Sequence, residues 1–452
     1  MKIAIIGVGS MGKLHATLFS QKYEVACFNP GKKRQARLRK ELYRLKNITV
    51  EENIADAVID RDVVILLPPS DAIDDIARKI KTHLKSGATV ITGASVMLPA
   101  ARSLVRYLGG SKVNIIGMHC LFGYSKGIDI GMNSIAEVRI KASDSACKKA
   151  RTLFQTAFWS RTGKTKIVNI RTEPKIRKSK LSAADMHDRI MADTQVITHL
   201  GFQSMGTAWM RSGIFPWEND VYKDGIDNAK AIMMLRIFHG KAHMYEALAM
   251  QNRYAQRHVK QYASSVKALF ELACNNEEDR LRKRLEKARS FLDSNKLRAV
   301  SKNVKEVLNR MTRDEIHNKP NSHLSLLAMA DSWRILNTDI HSDIMCSTPP
   351  FLIRRLLVGM VFEKSIIEKS IRAAVDSNEV KKHDKAFVNS VKDWSDAIIR
   401  KDGKAYKYLF ESTKEFFNDK LEDGMAESDR LICELGTEMS YWKLSHQDTQ
   451  GI

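Results

Sequence analysis

No apolar run in this 452-residue chain approaches the ~18 residues that a membrane-crossing helix needs, which argues against a helical membrane protein. The six cysteines (Cys27, Cys120, Cys147, Cys274, Cys346 and Cys433) lie far apart, without a C-x-x-C pair. That spacing suggests neither a disulfide framework nor a zinc site. Aromatic residues amount to 7%, too sparse to interleave with cations as a nucleic-acid stacking platform does. Internal repeats and low-complexity tracts are missing too. Nor is there room for a signal peptide, because Met1-Lys2-Ile3-Ala4-Ile5-Ile6-Gly7 runs straight into a strand pattern. A cytoplasmic protein without a membrane segment is expected.

What is present is ordinary globular composition, 44% apolar and 28% charged, in a length suited to two or three domains. The net charge of +22 is unevenly placed. Residues 1–180 hold 33 Lys+Arg against 14 Asp+Glu, whereas residues 181–452 hold 41 against 38. Such a field attracts nucleic acid, an anionic membrane surface, or phosphorylated and carboxylated small molecules. The cations are dispersed along helix patterns without aromatic partners, which favours small anions over nucleic acid.

The first ~170 residues alternate apolar runs with helix patterns, as a parallel α/β sheet does. Strands are expected at Ile3–Ile6, Glu24–Phe28, Val63–Leu67, Thr89–Ile91, Asn114–Met118 and Glu137–Lys141. From about Leu181 the texture becomes helical, with patterns over Ala183–Met210, Ala229–Met250, Arg257–Asn275, Glu277–Leu308, Leu324–Leu336, Phe351–Val375 and Phe387–Phe417. The basic, proline-bearing stretch 171–180 is the expected hinge. The fold class is therefore an α/β domain over 1–175 followed by a large all-helical domain over 176–452.

Gly7-Val8-Gly9-Ser10-Met11-Gly12 is a G-x-G-x-x-G that follows a strand and opens a helix. The glycines permit a tight turn, close approach to a pyrophosphate and close helix–strand packing, with a helix N-terminus facing the phosphates. In that context the motif marks a Rossmann-type dinucleotide site formed by Gly7, Gly9, Ser10, Met11 and Gly12. After the second strand, an NAD enzyme usually carries Asp or Glu for the ribose 2′-hydroxyl. Here Asn29-Pro30-Gly31 runs into Lys32-Lys33-Arg34, an amide and three cations that suit a 2′-phosphate. NADP is favoured over NAD, the bland alternative being that Lys32–Arg34 only begin a solvated helix face. Pro68 and Ser70, after the next strand, fit a loop flanking the nicotinamide and would equally serve an ordinary turn.

Three further segments go beyond a generic dinucleotide domain: Thr92-Gly-Ala-Ser95-Val-Met97-Leu98-Pro99, Gly117-Met118-His119-Cys120-Leu121-Phe122-Gly123, and the run from Met186 to His199. The last contains His187, Asp188, Ala192, Gln195 and His199 in an H-D-x-x-x-A-x-x-Q-x-x-x-H spacing. With Ser204-Met-Gly206-Thr-Ala-Trp209, Pro320-Asn-Ser-His323 and Cys346-Ser-Thr-Pro349, these resemble the prephenate/arogenate dehydrogenase family. The likeness is greatest to the long fungal-type NADP-dependent prephenate dehydrogenases.

The resemblance implies oxidative decarboxylation of prephenate to 4-hydroxyphenylpyruvate, with His119 taking the ring-hydroxyl proton and Ser95 beside it. It also implies that Arg236, in Met234-Leu235-Arg236-Ile237-Phe238, clamps a substrate carboxylate, and that His187 and Gln195 line or brace the pocket. On the residues alone, Arg236 reads as a helix-surface cation. His187 and His199 offer a metal site only in principle, since no third ligand has convincing spacing; no metal is expected. The family's helical domain closes over the substrate and forms the dimer interface, so a homodimer is implied. An arogenate dehydrogenase, acting on that substrate or another amino analogue, is the alternative, and Asp188 and Asp193 are then available for its ammonium. The chain departs from the family pattern at Met97, where a lysine is common, and at Cys120, where proline is. Lys126 is the nearest stand-in for the lysine.

Overall fold

The computed structural model describes residues 1–122, 132–162, 164–170, 182–216, 225–294, 320–338 and 349–447. The expected hinge at 171–180, Lys126 and residues 346–348 lie outside them. Contacts divide the chain into two compact units, Met1–Ile190 and Met191–Ile452.

The first unit alternates strands and helices: β1 (Lys2–Ile6), α1 (Ser10–Phe19), β2 (Glu24–Phe28), α2 (Lys32–Leu42), β3 (Ile48–Val50), α3 (Ile54–Val58), β4 (Val63–Leu66), α4 (Ile73–Ile80), β5 (Thr89–Thr92), α5 (Met97–Leu108), β6 (Asn114–Cys120), β7 (Met132–Lys141), α6 (Asp144–Thr162), β8 (Lys164–Ile170) and α7 (Ala183–Met191). The strands form one sheet in the order β3-β2-β1-β4-β5-β6-β7-β8. All described pairs are parallel except β6 with β7. The central strands are apolar at nearly every position because helices cover both faces. Ile3 and Ile5 point into one core with Phe19, Phe154 and Phe158, while Ala4 and Ile6 point into the other with Leu66 and Leu104. β3 and β8 are additional to the strands that the sequence pattern suggests.

The chain leaves β1 toward β2 and returns on the other side to β4, so the order reverses between β1 and β4. Ligands of such sheets bind at the carboxyl ends of the strands beside that reversal. The unit ends 15 residues beyond the expected boundary at 175, at Ile190, because α7 carries side chains that bond to the first turn of α5.

The second unit is helical. A π-helical turn, Ala192–Val196, precedes α8 (Ile197–Arg211), then come α9 (Gly225–His239), α10 (Ala242–Gln251), α11 (Ala255–Cys274), α12 (Glu278–Ser294), α13 (Leu324–Leu336), α14 (Pro349–Val361), α15 (Lys364–Asp376), α16 (Asn378–Ile399), α17 (Gly403–Phe416) and α18 (Leu421–Gln447). α8 is buried on nearly every face and packs against α9, α13 and α16. No helix among the described residues is long and apolar enough to cross a membrane.

The Asn321-Ser322-His323 segment enters a buried polar cluster. Asn321 donates to the Asp227 carboxylate, Ser322 donates to Asp384 at 2.8 Å, and Lys230 lies 3.1 Å from His323 Nδ1. Burial pushes the Asp384 carboxyl up to about 7, with the Ser322 hydroxyl and Lys230 opposing. A raised folded-state pKa stabilises below the unfolded value near 4 and loses that contribution as pH rises through about 7. Asp384→Asn is therefore expected to stabilise the protein at pH 8 by roughly 3 kcal/mol more than at pH 4, at ~1.4 kcal/mol for each tenfold difference in proton affinity. Calorimetry of the two proteins at both pH values checks this; an equal effect at both would contradict it.

Candidate active site

The glycine turn sits at the carboxyl end of β1. Gly7 has φ +91°, and a Cβ there would lie 2.5 Å from the Pro68 nitrogen at the end of β4. That contact gives Pro68 its place: it walls the turn. A Cβ at Gly12 would meet the Gly7 carbonyl at 2.7 Å, so α1 packs tightly onto the turn. At Gly9 nothing lies within 4 Å. The second glycine thus opens onto free space, as backbone approaching a pyrophosphate requires. Ser10 and Met11 form the first turn of α1, Ser10 exposed. Ser70 starts a short 3-10 turn after Pro69 and makes no described side-chain bond.

Asn29 is engaged within the loop itself. Its Oδ1 accepts from the Val8 amide at 2.7 Å and its Nδ2 donates to the Val8 carbonyl at 3.1 Å. A carboxylate there has no N–H to give the Val8 carbonyl, so the amide is a structural requirement as well as an electrostatic one. Lys32, Lys33 and Arg34 are exposed on the first turn of α2, and no carboxylate pairs with any of them among the described residues. Open backbone at Gly9 and three unpaired cations beyond β2 fit a dinucleotide with an extra phosphate.

His119 lies near the carboxyl end of β6, on the same edge of the sheet as the glycine turn. Its Nδ1 is 3.0 Å from His187 Nε2, and His187 Nδ1 is 2.9 Å from Asp188 Oδ1. Asp188 also accepts from the backbone N–H groups of Met97 (2.6 Å) and Leu98 (2.9 Å), at the N-terminus of α5. His187 and Asp188 are almost fully buried. Proton directions follow from Asp188 outward. A carboxylate accepting three N–H groups takes a proton from His187 Nδ1, which leaves His187 Nε2 an acceptor for His119 Nδ1–H. His119 Nε2 is then the unprotonated nitrogen, and no described side chain engages it. Burial, aided by the neighbouring His187, lowers the His119 pKa to about 3.

The next residue, Cys120, lies 3.8 Å from His15 Nε2, and His15 Nδ1 donates to the Met11 carbonyl at 2.7 Å. That chain ties the end of β6 to the helix opened by the glycine turn. Met97 is fully buried, and a Cβ at Gly117 would collide with its sulfur at 2.5 Å. Met97 is thus a core residue whose backbone, not side chain, serves the histidine relay. Ser95 is half-buried in the loop before α5, with no hydrogen bond to His119 among those described. His187 makes the bond instead. Both His187 nitrogens are occupied, which leaves no lone pair for a metal.

In the helical unit, Arg236 Nη1 is 2.5 Å from Asp429 and also reaches Ser428. Gln195 lies half-buried in the π-helical turn, and its backbone carbonyl accepts from the Thr198 hydroxyl. Asp193 pairs with His258 in that unit. Asp188 and Asp193 therefore both have partners other than a ligand ammonium. Sequence reasoning missed what Asp188 does, because its partners are backbone N–H groups about 90 positions away. It also missed Arg354, described below.

Sheet order, glycine turn and a buried neutral imidazole at a strand's carboxyl end define a Rossmann-type dehydrogenase with a helical C-terminal unit. Residues 2–131 match the family described as "NAD binding domain of 6-phosphogluconate dehydrogenase", and residues 196–437 match a family described as "6-phosphogluconate dehydrogenase C-terminal domain". The "Probable prephenate dehydrogenase [NADP(+)]" of Schizosaccharomyces pombe is 30% identical over 446 residues, covering 96% of this chain and 97% of that protein. The "Prephenate dehydrogenase [NADP(+)]" of Saccharomyces cerevisiae is 30% identical over 472 residues, covering 98% and 94%. A solved structure of prephenate dehydrogenase from A. aeolicus, with hydroxyphenyl propionate and NAD+, is 18% identical with TM-score 0.46, covering 63% of this chain and 95% of that one. The chain belongs to the prephenate dehydrogenase family.

Proposed function

We propose that the chain is an NADP-dependent prephenate dehydrogenase, converting prephenate to 4-hydroxyphenylpyruvate and carbon dioxide in tyrosine biosynthesis. The observation that carries the chemistry is the Asp188–His187–His119 chain, which leaves one unprotonated imidazole nitrogen at the dinucleotide edge of the sheet. His119 takes the ring-hydroxyl proton at Nε2 as the carbinol carbon is oxidised. His187 holds the ring in that tautomer and Asp188 holds His187. NADP, when bound, accepts the hydride. Loss of carbon dioxide then aromatises the ring, which makes the oxidation effectively irreversible without help from the protein. In this reading Ser95 orients the hydroxyl or the nicotinamide, and Arg236 and Gln195 contact the substrate. Arg236 Nε and Nη2 have no described partner and remain able to donate.

With His119 held neutral, its base form persists far below the ordinary imidazole range. The acid limb of kcat/KM is expected to lie well below pH 6.5. A limb at or above 6.5 would contradict the burial argument.

Gly7, Gly9, Ser10, Met11 and Gly12 hold the pyrophosphate in this proposal, and Lys32, Lys33 and Arg34 hold the 2′-phosphate. Replacing those three cations with alanine is expected to raise KM for NADP roughly 10–100-fold, at about 1–3 kcal/mol in total, and to leave NAD kinetics nearly unchanged. Parallel steady-state assays with the two cofactors decide it, and an equal loss with both would remove the cations from the 2′-phosphate.

A cytoplasmic homodimer completes the proposal, supported by the family membership and by the near balance of charge over residues 181–452. The experiment is turnover of prephenate and of arogenate with NADP and with NAD, with the product identified. Fast reduction of NADP by prephenate is expected. Turnover of arogenate alone would overturn the substrate assignment.

A further inference from the structure

Arg354, on α14, is a buried cation without a counter-ion among the described residues. Only 4% of it is exposed. Its guanidinium donates to the Thr198 hydroxyl at 3.2 Å and sits over the Phe202 ring, 5.4 Å from the centroid. Its Nε has no hydrogen-bond partner. Its electrostatic neighbours are Tyr245 and a second cation, Arg236. Arg236 is neutralised by Asp429, whereas no described carboxylate neutralises Arg354.

Burying an unpaired guanidinium is strongly unfavourable, and folds retain such a group where an anion comes to meet it. Its surroundings have the character of a ligand site. Thr198, which receives the Arg354 N–H, donates back to the Thr194 and Gln195 carbonyls of the π-helical turn, a distortion that concentrates at functional sites. Beside it, burial and the Arg354 charge keep His199 neutral, with its ring edge-on to Tyr245 at 5.0 Å. The local surroundings thus combine one positive fork, a hydroxyl, neutral rings and no described acid.

We propose that Arg354 is a carboxylate-binding residue of this enzyme and that its anion is one of the two carboxylates of the substrate. The inference rests on the proposed function for the identity of the anion, not for its chemical class. A planar guanidinium with an unused Nε offers two parallel N–H groups, the arrangement that grips a carboxylate bidentately. Arg236, already paired, is then the secondary contact.

The test compares wild type with Arg354→Met and Arg354→Lys. Methionine fills much of the volume without the charge, so its thermal midpoint is expected to equal or exceed that of wild type, while KM for prephenate rises at least ~30-fold. Lysine keeps a point charge and loses the fork, and a rise of ~5-fold or more is expected. NADP binding is expected to be unchanged in both. If wild type turns over prephenate and KM in the variants stays within twofold of it, the proposal is overturned. If Arg354→Met does not fold, the lysine variant decides by the same criterion.

Malonate against chloride at matched ionic strength separates this inference from the functional reading. Should wild type fail to turn over prephenate, malonate that raises the melting midpoint of wild type but not of the Arg354 variants keeps the carboxylate site and discards the substrate. An equal response in all three proteins overturns both. Stabilisation by malonate that depends on Arg354, together with an unchanged KM, means that the anion is not the substrate's, which also overturns the proposal.

Discussion

His119→Asn is expected to lower kcat about 10³-fold, within the 10²–10⁴ span of a positioned general base, while the dissociation constant for NADP stays within about twofold of wild type. The separation of the two effects is the informative part. His119 Nε2 is the free ring nitrogen at the end of β6, whereas the open backbone at Gly9 belongs to the turn after β1. An asparagine retains polarity at the site and cannot carry a proton away. Steady-state turnover of prephenate, with NADP binding followed by fluorescence, makes the comparison. A variant within about threefold of wild type would show that the hydroxyl proton leaves by another route.

The second large effect falls on a residue that touches no substrate. In Asp188→Asn, one acceptor oxygen becomes an N–H donor facing the Met97 and Leu98 amides and His187 Nδ1. At least one buried donor loses its partner, at a cost of about 1–3 kcal/mol in stability. The catalytic consequence is larger. If the new amide donates to His187 Nδ1, the His187 proton moves to Nε2, and His119 must turn its own proton out to Nε2, where a base is needed. A loss of roughly 10²-fold or more in kcat is expected, as for other buried carboxylates that set a histidine tautomer. A purely structural role would lower the melting midpoint and the amount of active enzyme without changing kcat per folded molecule. Active-site titration distinguishes the two, and an unchanged kcat would reduce Asp188 to a helix cap.

Much of the first unit is legible in the sequence because buried parallel strands read as continuous apolar runs and the glycine turn has a fixed spacing. The two strands that it did not reveal are edge cases. β3 is three residues long, and β8 is interrupted by lysines at 164 and 166. In the helical unit the 229–250 pattern is two helices, because Lys241 is extended and Gly240 lies against Tyr245, while the apolar period runs on across the break. The acid-leaning tail carries α18, which packs against α9 and supplies Asp429 to Arg236.

At the candidate site, sequence singled out His119 and His187 without showing that they touch. What links them to α5 is backbone amide, which leaves no trace in residue identity. Arg354 illustrates the converse. As a residue type it is one cation among 74 Lys+Arg, and only the lack of a described acid around it in space sets it apart.

The most direct measurement is stoichiometric: limiting prephenate with excess NADP, followed to completion for reduced cofactor, carbon dioxide and 4-hydroxyphenylpyruvate. One equivalent of each per prephenate is expected. Prephenate recovered intact beside bound, unreduced NADP would contradict a dehydrogenase and leave a dinucleotide-binding protein with the same fold.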